Sequence, residues 1–267
     1  MSGASFTRAK PACITRPSCP PQKNPGRAEL PPSIYASTTH ASHLERKMAS
    51  PAEELFFESH NEDKSETIVL LHGLLSSHKE WDLVIPHLGA YHVLAVDLNG
   101  HSGSRNMTPT TTTASAENVA TLIRGRAKGG TAHVVGLSFG GFVGLSLTGA
   151  HPELVRSLFV SGAAPFEGLY KWMAERPSTI WYSLRAIMGV PEWLYWRMLS
   201  WKGMAKNEAL YADMLGNLKW ENVRDGYTSI LDIAFEDVAR MDVRILSVAG
   251  DQDDDLKSTR KMGECIR

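Results

Sequence analysis

Ala132-His133-Val134-Val135-Gly136-Leu137-Ser138-Phe139-Gly140-Gly141-Phe142-Val143 is the stretch whose reading decides the fold. A short apolar run enters Gly-x-Ser-x-Gly, and a second apolar run with helical spacing leaves it. This reads as strand, tight turn and helix, with Ser138 at the apex. Such a turn forces its central residue into strained backbone geometry, and a Cβ at Gly136 or Gly140 would crowd the neighbouring strand and helix. The strain lifts the Ser138 hydroxyl out at the top of a sheet. It also aims the Phe139 N–H, at the start of a helix, toward the place where an oxyanion would form. Ser138 is therefore the candidate nucleophile.

Working outward, apolar runs and helical patterns alternate. Leu55 to Ser59 reads as a first strand, and Thr67 to Leu71 as a strand buried on both faces. Ser77-His78-Lys79-Glu80 has the form of a capping box, which predicts a helix carrying Trp81 and Ile85. Tyr91 to Val96 is the next strand. Ser115 is placed to cap a helix with Val119, Leu122 and Ile123 on one face and Arg124, Arg126 and Lys128 near its C-terminus. Leu154 to Ser161 is a strand after the elbow helix, and Val243 to Ala249 another. This rhythm predicts an α/β fold, a doubly wound and mostly parallel sheet with right-handed crossovers.

From about 165 to 240 the rhythm stops, and six of the seven tryptophans fall there. The expectation is a helical cap inserted over the carboxyl edge of the sheet, within a domain covering 51–267. Aromatics and methionines on amphipathic helices serve as plain core or as the lining of a pocket. An apolar underside facing the Ser138 crevice is where a substrate pocket would sit, with Trp193 and Trp196 the candidate substrate-binding residues.

Residues 1–50 differ from the rest, with seven Lys or Arg against two Glu and few large apolar residues. They are expected to be a disordered extension. A mitochondrial transit peptide over 1–47 is the alternative, although Pro11, Pro17, Pro20 and Pro21 would break its helix, and Met48-Ala49-Ser50-Pro51 would make a natural start. The 267 residues are 43% hydrophobic with a net charge of −1, and no apolar run approaches the roughly 20 residues of a spanning helix. Nucleic-acid binding and a membrane span are therefore not expected. Cys13, Cys19 and Cys265 make neither a disulfide framework nor a zinc site, so a reducing compartment, the cytoplasm, is expected. Neither a metal nor an organic cofactor motif is found, and the oligomeric state is left open.

Four motifs in register resemble the α/β-hydrolase superfamily, in its capped single-domain form, from about Phe56 onward. His72-Gly73 resembles the oxyanion loop, which implies that the Leu74 N–H partners the Phe139 N–H. Asp97-Leu98-Asn99-Gly100-His101-Ser102-Gly103-Ser104 resembles the family's Asp-x-x-Gly-His-Gly-x-Ser loop, with Ser102 in place of a glycine. Gly136 to Gly140 is the elbow. Gly250-Asp251-Gln252-Asp253 resembles the turn supplying the triad acid and points, by spacing, to Asp253 rather than Asp251, Asp254 or Asp255. His72 and His101 are expected to brace their loops.

The resemblance implies acyl transfer, in which a histidine takes the Ser138 proton and Asp253 orients it. Family order places that histidine after the acid, yet the last of the ten histidines is His151. The family's final strand and helix are absent, so a C-terminally truncated member, nearly inactive as it stands, is expected. Three functional readings follow. One is a serine hydrolase of an ester, lactone or thioester of a small apolar substrate. Another is a catalytically impaired relative that binds a small molecule or partner. The third is a lyase or cyclisation catalyst of natural-product biosynthesis, whose bulky substrates an aromatic cap would suit.

Overall fold

The computed structural model describes residues 54–200, 206–251 and 256–266. Among the described residues six strands form one sheet: β1 (Phe57–His60), β2 (Thr67–Leu71), β3 (His92–Val96), β4 (Ala132–Leu137), β5 (Val155–Ser161) and β6 (Arg244–Val248). Their spatial order is β1-β3-β2-β4-β5-β6. β1 runs antiparallel to β3, and all other neighbours are parallel. The chain steps from β2 outward to β3, then crosses back to place β4 on the other side of β2. The carboxyl ends of β2 and β4 are thus the switch point of the sheet, where connections diverge and leave a crevice.

Every residue of β2 and β3 is buried, as their unbroken apolar runs require. Alternate side chains feed two cores. Val69, Leu71, Leu94, Val96 and Val134 face one way and pack with α1 (Thr112–Arg126) and α2 (Phe139–Ala150). Ile68, Leu70, Val93 and Val135 face the other way, against Trp81, Ile85, Leu88 and Tyr91.

Two predicted caps differ in the structure. The segment after Ser77 forms not an α-helix but two single 3-10 turns, His78–Trp81 and Ile85–His87, because Pro86 and a pull on Glu80 from elsewhere stop it propagating. Helix α1 begins earlier than Ser115: Thr111 is its cap and accepts the Ala114 N–H at 3.2 Å, while Ser115 is buried inside the first turn. In Thr111-Thr112-Thr113 the local sequence offers several equivalent caps, and packing selects the first.

Between β5 and β6 the described residues are helical, as the loss of rhythm predicts. They form α3 (Gly168–Ala174), α4 (Pro177–Met188), α5 (Glu192–Ser200), α6 (Glu208–Asn217), α7 (Trp220–Ile230) and the short α8 (Phe235–Val238). Ile180, Met188, Tyr195, Tyr211 and Val223 build a separate core in this layer, and Leu75 from the loop after β2 joins it. After β6, α9 (Leu256–Cys265) buries Met262 in the main core. Among the described residues no helix is long and apolar enough to cross a membrane. The expectations for residues 1–50 lie outside the described residues.

Candidate active site

Ser138 stands between the end of β4 and the start of α2 with φ 50° and ψ −117°, a conformation an L-residue adopts only when its surroundings enforce it. The surroundings are backbone. A Cβ on Gly140 would lie 2.2 Å from the Leu71 carbonyl oxygen, and one on Gly136 would lie 2.4 Å from that of Gly140. The Ser138 N–H is tied to the Ser161 carbonyl at 2.7 Å. Its side chain is exposed.

The loop after β2 lies against the serine: a Cβ on Gly73 would sit 3.7 Å from Ser138 Cβ. Within that loop the N–H groups are assigned one by one. Gly73 donates to Glu80 Oε2 at 2.7 Å and Leu75 to His101 Nε2 at 2.9 Å. Between them the Leu74 N–H has no partner among the described residues, nor has the N–H of Phe139, first residue of α2. These are the two donors expected from the sequence. The Glu80 carboxyl, read in the sequence as a capping-box partner of Ser77, thus serves the Gly73 loop instead. Burial pushes its pKa above the usual carboxylate value, and the Gly73 N–H pulls it partly back.

His72 and His101 are wholly occupied. His72 Nε2 accepts the Leu98 N–H at 2.9 Å, which leaves Nδ1 protonated and donating to the Gly73 carbonyl at 2.8 Å. His101 repeats the scheme, accepting from Leu75 and donating to the Asn99 carbonyl at 2.7 Å. Burial pushes the pKa of His72 down to about 4 and that of His101 down to about 3. Neither ring keeps a free lone pair, so both brace the two loops and neither is a base for Ser138. Among the described residues no histidine is hydrogen-bonded to Ser138 Oγ.

Asp97 anchors the neighbouring loop. Its Oδ1 accepts from the His78 N–H and from His78 Nδ1, each at 2.8 Å, and its Oδ2 from the Gly103 N–H at 2.9 Å. Burial raises the Asp97 pKa, but these hydrogen bonds outweigh it and hold the carboxyl below its usual value. The same contact with Asp97 raises the pKa of His78.

Two asparagines of the inserted layer, unremarked in the sequence, tie it to these loops. Asn217, at the end of α6, donates through Nδ2 to the Leu75 and Ser76 carbonyls at 3.1 and 2.8 Å, and accepts the Ser102 N–H at 2.8 Å. Asn222 on α7 donates to the Gly100 and Asn217 carbonyls, each at 2.9 Å. Helix α7 also crosses close over the donors: a Cβ on Gly226 would meet Leu74 Cδ1 at 2.8 Å and the Phe139 ring at 3.6 Å.

Trp193 and Trp196 stand on α5. Trp193 is exposed, and Trp196 donates to Glu192 Oε1 at 3.0 Å. With Lys206, Tyr211 and Leu215 they line a groove of about 530 Å³. Asp253 lies outside the described residues.

A model of the alpha/beta hydrolase family matches residues 68–265. An AB hydrolase superfamily protein of Gibberella zeae is 42% identical over 110 residues, 40% of this chain and 39% of that protein. A pimeloyl-[acyl-carrier protein] methyl ester esterase of Neisseria meningitidis is 33% identical over 102 residues, 38% of each. The chain thus spans about two fifths of the length of these curated relatives. The crystal structure of the enol-lactonase from Burkholderia xenovorans superposes with a TM-score of 0.63 at 17% identity, covering 79% of this chain and 84% of that one, which is likeness of fold.

Proposed function

Since the chain belongs to the alpha/beta hydrolase family, we propose that it is a serine hydrolase acting on an ester, lactone or thioester of a small apolar substrate. Ser138 attacks the carbonyl carbon, its proton passes to a base, and the oxyanion of the tetrahedral intermediate is held by the Leu74 and Phe139 N–H groups. Protonation of the leaving group frees it, and water releases the acyl enzyme. Asp253 is the acid that orients the base, and Trp193 and Trp196 bias the choice of substrate. The esterase and lactonase functions named for its relatives agree with this class.

One observation carries the proposal. An exposed serine is held at φ 50° between two glycines that backbone atoms prevent from carrying a side chain, beside two N–H groups that have no partner among the described residues. Strain of this kind persists where function needs it. The test is a fluorophosphonate probe: the protein should be labelled, and Ser138→Ala should abolish labelling. Labelling that survives the substitution removes Ser138 as nucleophile.

A second reading, a binding protein or a lyase-like catalyst, is favoured by the absence, among the described residues, of a histidine on Ser138 Oγ. Binding and the oxyanion hole alone would leave only about 10³–10⁴-fold catalysis over water. A wild-type protein that is neither labelled nor able to hydrolyse short p-nitrophenyl esters selects this reading.

A further inference from the structure

Four described non-glycine residues have positive φ, and three of them gather at the crevice: Leu75 at 67°, Ser102 at 39° and Ser138 itself. Ser138 is held by the elbow. Leu75 and Ser102 belong to two different loops, and a single side chain grips both. Asn217 Nδ2 donates to the Leu75 carbonyl and to Ser102 Oγ, at 3.1 and 3.0 Å, and Asn217 Oδ1 accepts the Ser102 N–H. With the Ser76 carbonyl added, the two N–H donors of this amide are shared among three acceptors on the two loops, and the residue is 3% exposed. Its own backbone is fixed in turn, because the Asn217 carbonyl, orphaned at the end of α6, receives Asn222 Nδ2 and the Lys219 N–H.

We propose that Asn217 is a positioning residue: it clamps the loop that presents the Leu74 N–H, so that the α6–α7 corner of the inserted layer and the oxyanion donor form one mechanical unit. The proposal rests on the serine-hydrolase reading above for its functional meaning. Two strained residues persist only where several contacts over-determine them, and here those contacts come from more than a hundred residues away in sequence. The corner of the cap therefore cannot lift without releasing Leu75 and Ser76, and with them the aim of the Leu74 N–H. The serine at 102, where the resembling loop has a glycine, acquires a purpose as well, since its hydroxyl is a third acceptor for the clamp.

The test compares Asn217→Asp, which keeps the shape and the acceptor but loses the NH₂ donors, with Asn207→Ala. Asn207 caps the same helix by accepting the Leu210 N–H at 3.0 Å and touches neither loop, so it controls for plain loss of stability. Hydrogen exchange is followed at the Leu75 and Ser76 amides, with fluorophosphonate labelling of Ser138 per folded molecule. Asn217→Asp should speed exchange at those two amides about tenfold or more and slow labelling by a similar factor, with β2–β4 amides unchanged. Asn207→Ala should lower the melting temperature and do neither. Should Asn217→Asp not fold, Ser102→Gly, which removes one acceptor, should give a smaller rise at the same amides. Equal exchange in the Asn217 and Asn207 variants, or an unchanged labelling rate, overturns the proposal. A wild type that does not label counts against the serine reading alone, and exchange then decides the clamp.

Discussion

Beneath Ser138 every residue of β2 and β3 is buried, whereas in the inserted helices Leu169, Tyr182 and Trp193 are 67%, 71% and 67% exposed. Both regions are rich in large apolar side chains, yet they answer to different constraints. A strand in the middle of a parallel sheet has only two faces and both are covered, so each of its positions is dictated. A helix laid over a crevice has one face for the layer's own core, one for the crevice and one for water. The first region is tight enough that single atoms decide it, and the second tolerates change except where it is clamped to the first.

The largest expected effect contrasts one glycine from each region. Gly140→Ala puts a methyl group 2.2 Å from the Leu71 carbonyl oxygen and 2.6 Å from that of His72, both of them backbone that cannot swing aside. The expected loss is roughly 3 kcal/mol, the upper end for overpacking, or a melting temperature about 10 °C lower for a chain of this size. Gly216→Ala in α6 meets no atom within 4 Å, and alanine is the better helix former by about 0.5–1 kcal/mol, so its melting temperature should rise by about 2 °C. Calorimetry of the two variants breaks the comparison if Gly140→Ala melts with the wild type.

Acid should act on the lower region as well. His72 and His101 are buried with pKa values of about 4 and about 3, against an ordinary value near 6.5 in the unfolded chain. Their depressed values mean that the unfolded state binds more protons below that point. The stability they contribute is thus fully present above about pH 6.5 and is lost as pH falls toward the folded values. Between pH 7 and pH 5 each should cost about 2 kcal/mol of unfolding free energy, measurable by urea titration at the two pH values. The raised pKa of Glu80 works in the opposite sense, its contribution being lost as pH rises through the folded value. No histidine occurs from residue 152 onward, so the inserted helices supply no such term. The raised pKa of His78 acts in the same sense as that of Glu80, so the decisive reading is an NMR titration of the two rings: His72 and His101 signals that titrate at about 6.5 in the folded protein would show that the two imidazoles are not buried in their neutral form.

Legibility in the sequence follows the same division. The unbroken run Thr67 to Leu71 and the paired glycines around Ser138 have one physical solution each, and the strand and the elbow are where they are expected. The Phe139 N–H could be proposed as a donor because the first residue of a helix carries an unpaired N–H, whereas Leu74 was named only through the resemblance of His72-Gly73 to the family's oxyanion loop. Glu80 was not legible, since an acid three residues after a serine satisfies the capping box, and nothing local reveals that the Gly73 N–H competes for it. Asn217 and Asn222 were still less so. An asparagine at the end of a helix passes for an ordinary terminus, and its partners lie 115 to 142 residues away in sequence. The one available signal was Ser102, a side chain where the resembling loop has a glycine, which asks for something to hold it.

The smallest expected effect, that of Trp193→Ala, lies opposite a large one on the same helix. On α5, Tyr195 is 4% exposed, with its ring 4.6 Å from that of Tyr211 and 5.3 Å from that of Trp196, whereas Trp193 is two-thirds in water. Tyr195→Ala removes the centre of an aromatic cluster and should cost about 3 kcal/mol. Trp193→Ala removes a larger ring that few atoms cover, and its melting temperature should stay within about 1–2 °C of wild type, equivalent to about 0.5 kcal/mol. What Trp193 does affect is the groove it shares with Trp196 and Leu215. If the groove takes substrate, as the proposed function assigns to Trp193 and Trp196, a lost apolar contact there should change preference among acyl chains by about tenfold at most, read as the ratio of rates on butyryl and octanoyl p-nitrophenyl esters. A ratio that shifts while the melting temperature holds places Trp193 at the substrate. A melting temperature that falls with that of Tyr195→Ala returns it to the core of the inserted layer, and the two faces of α5 would then no longer differ.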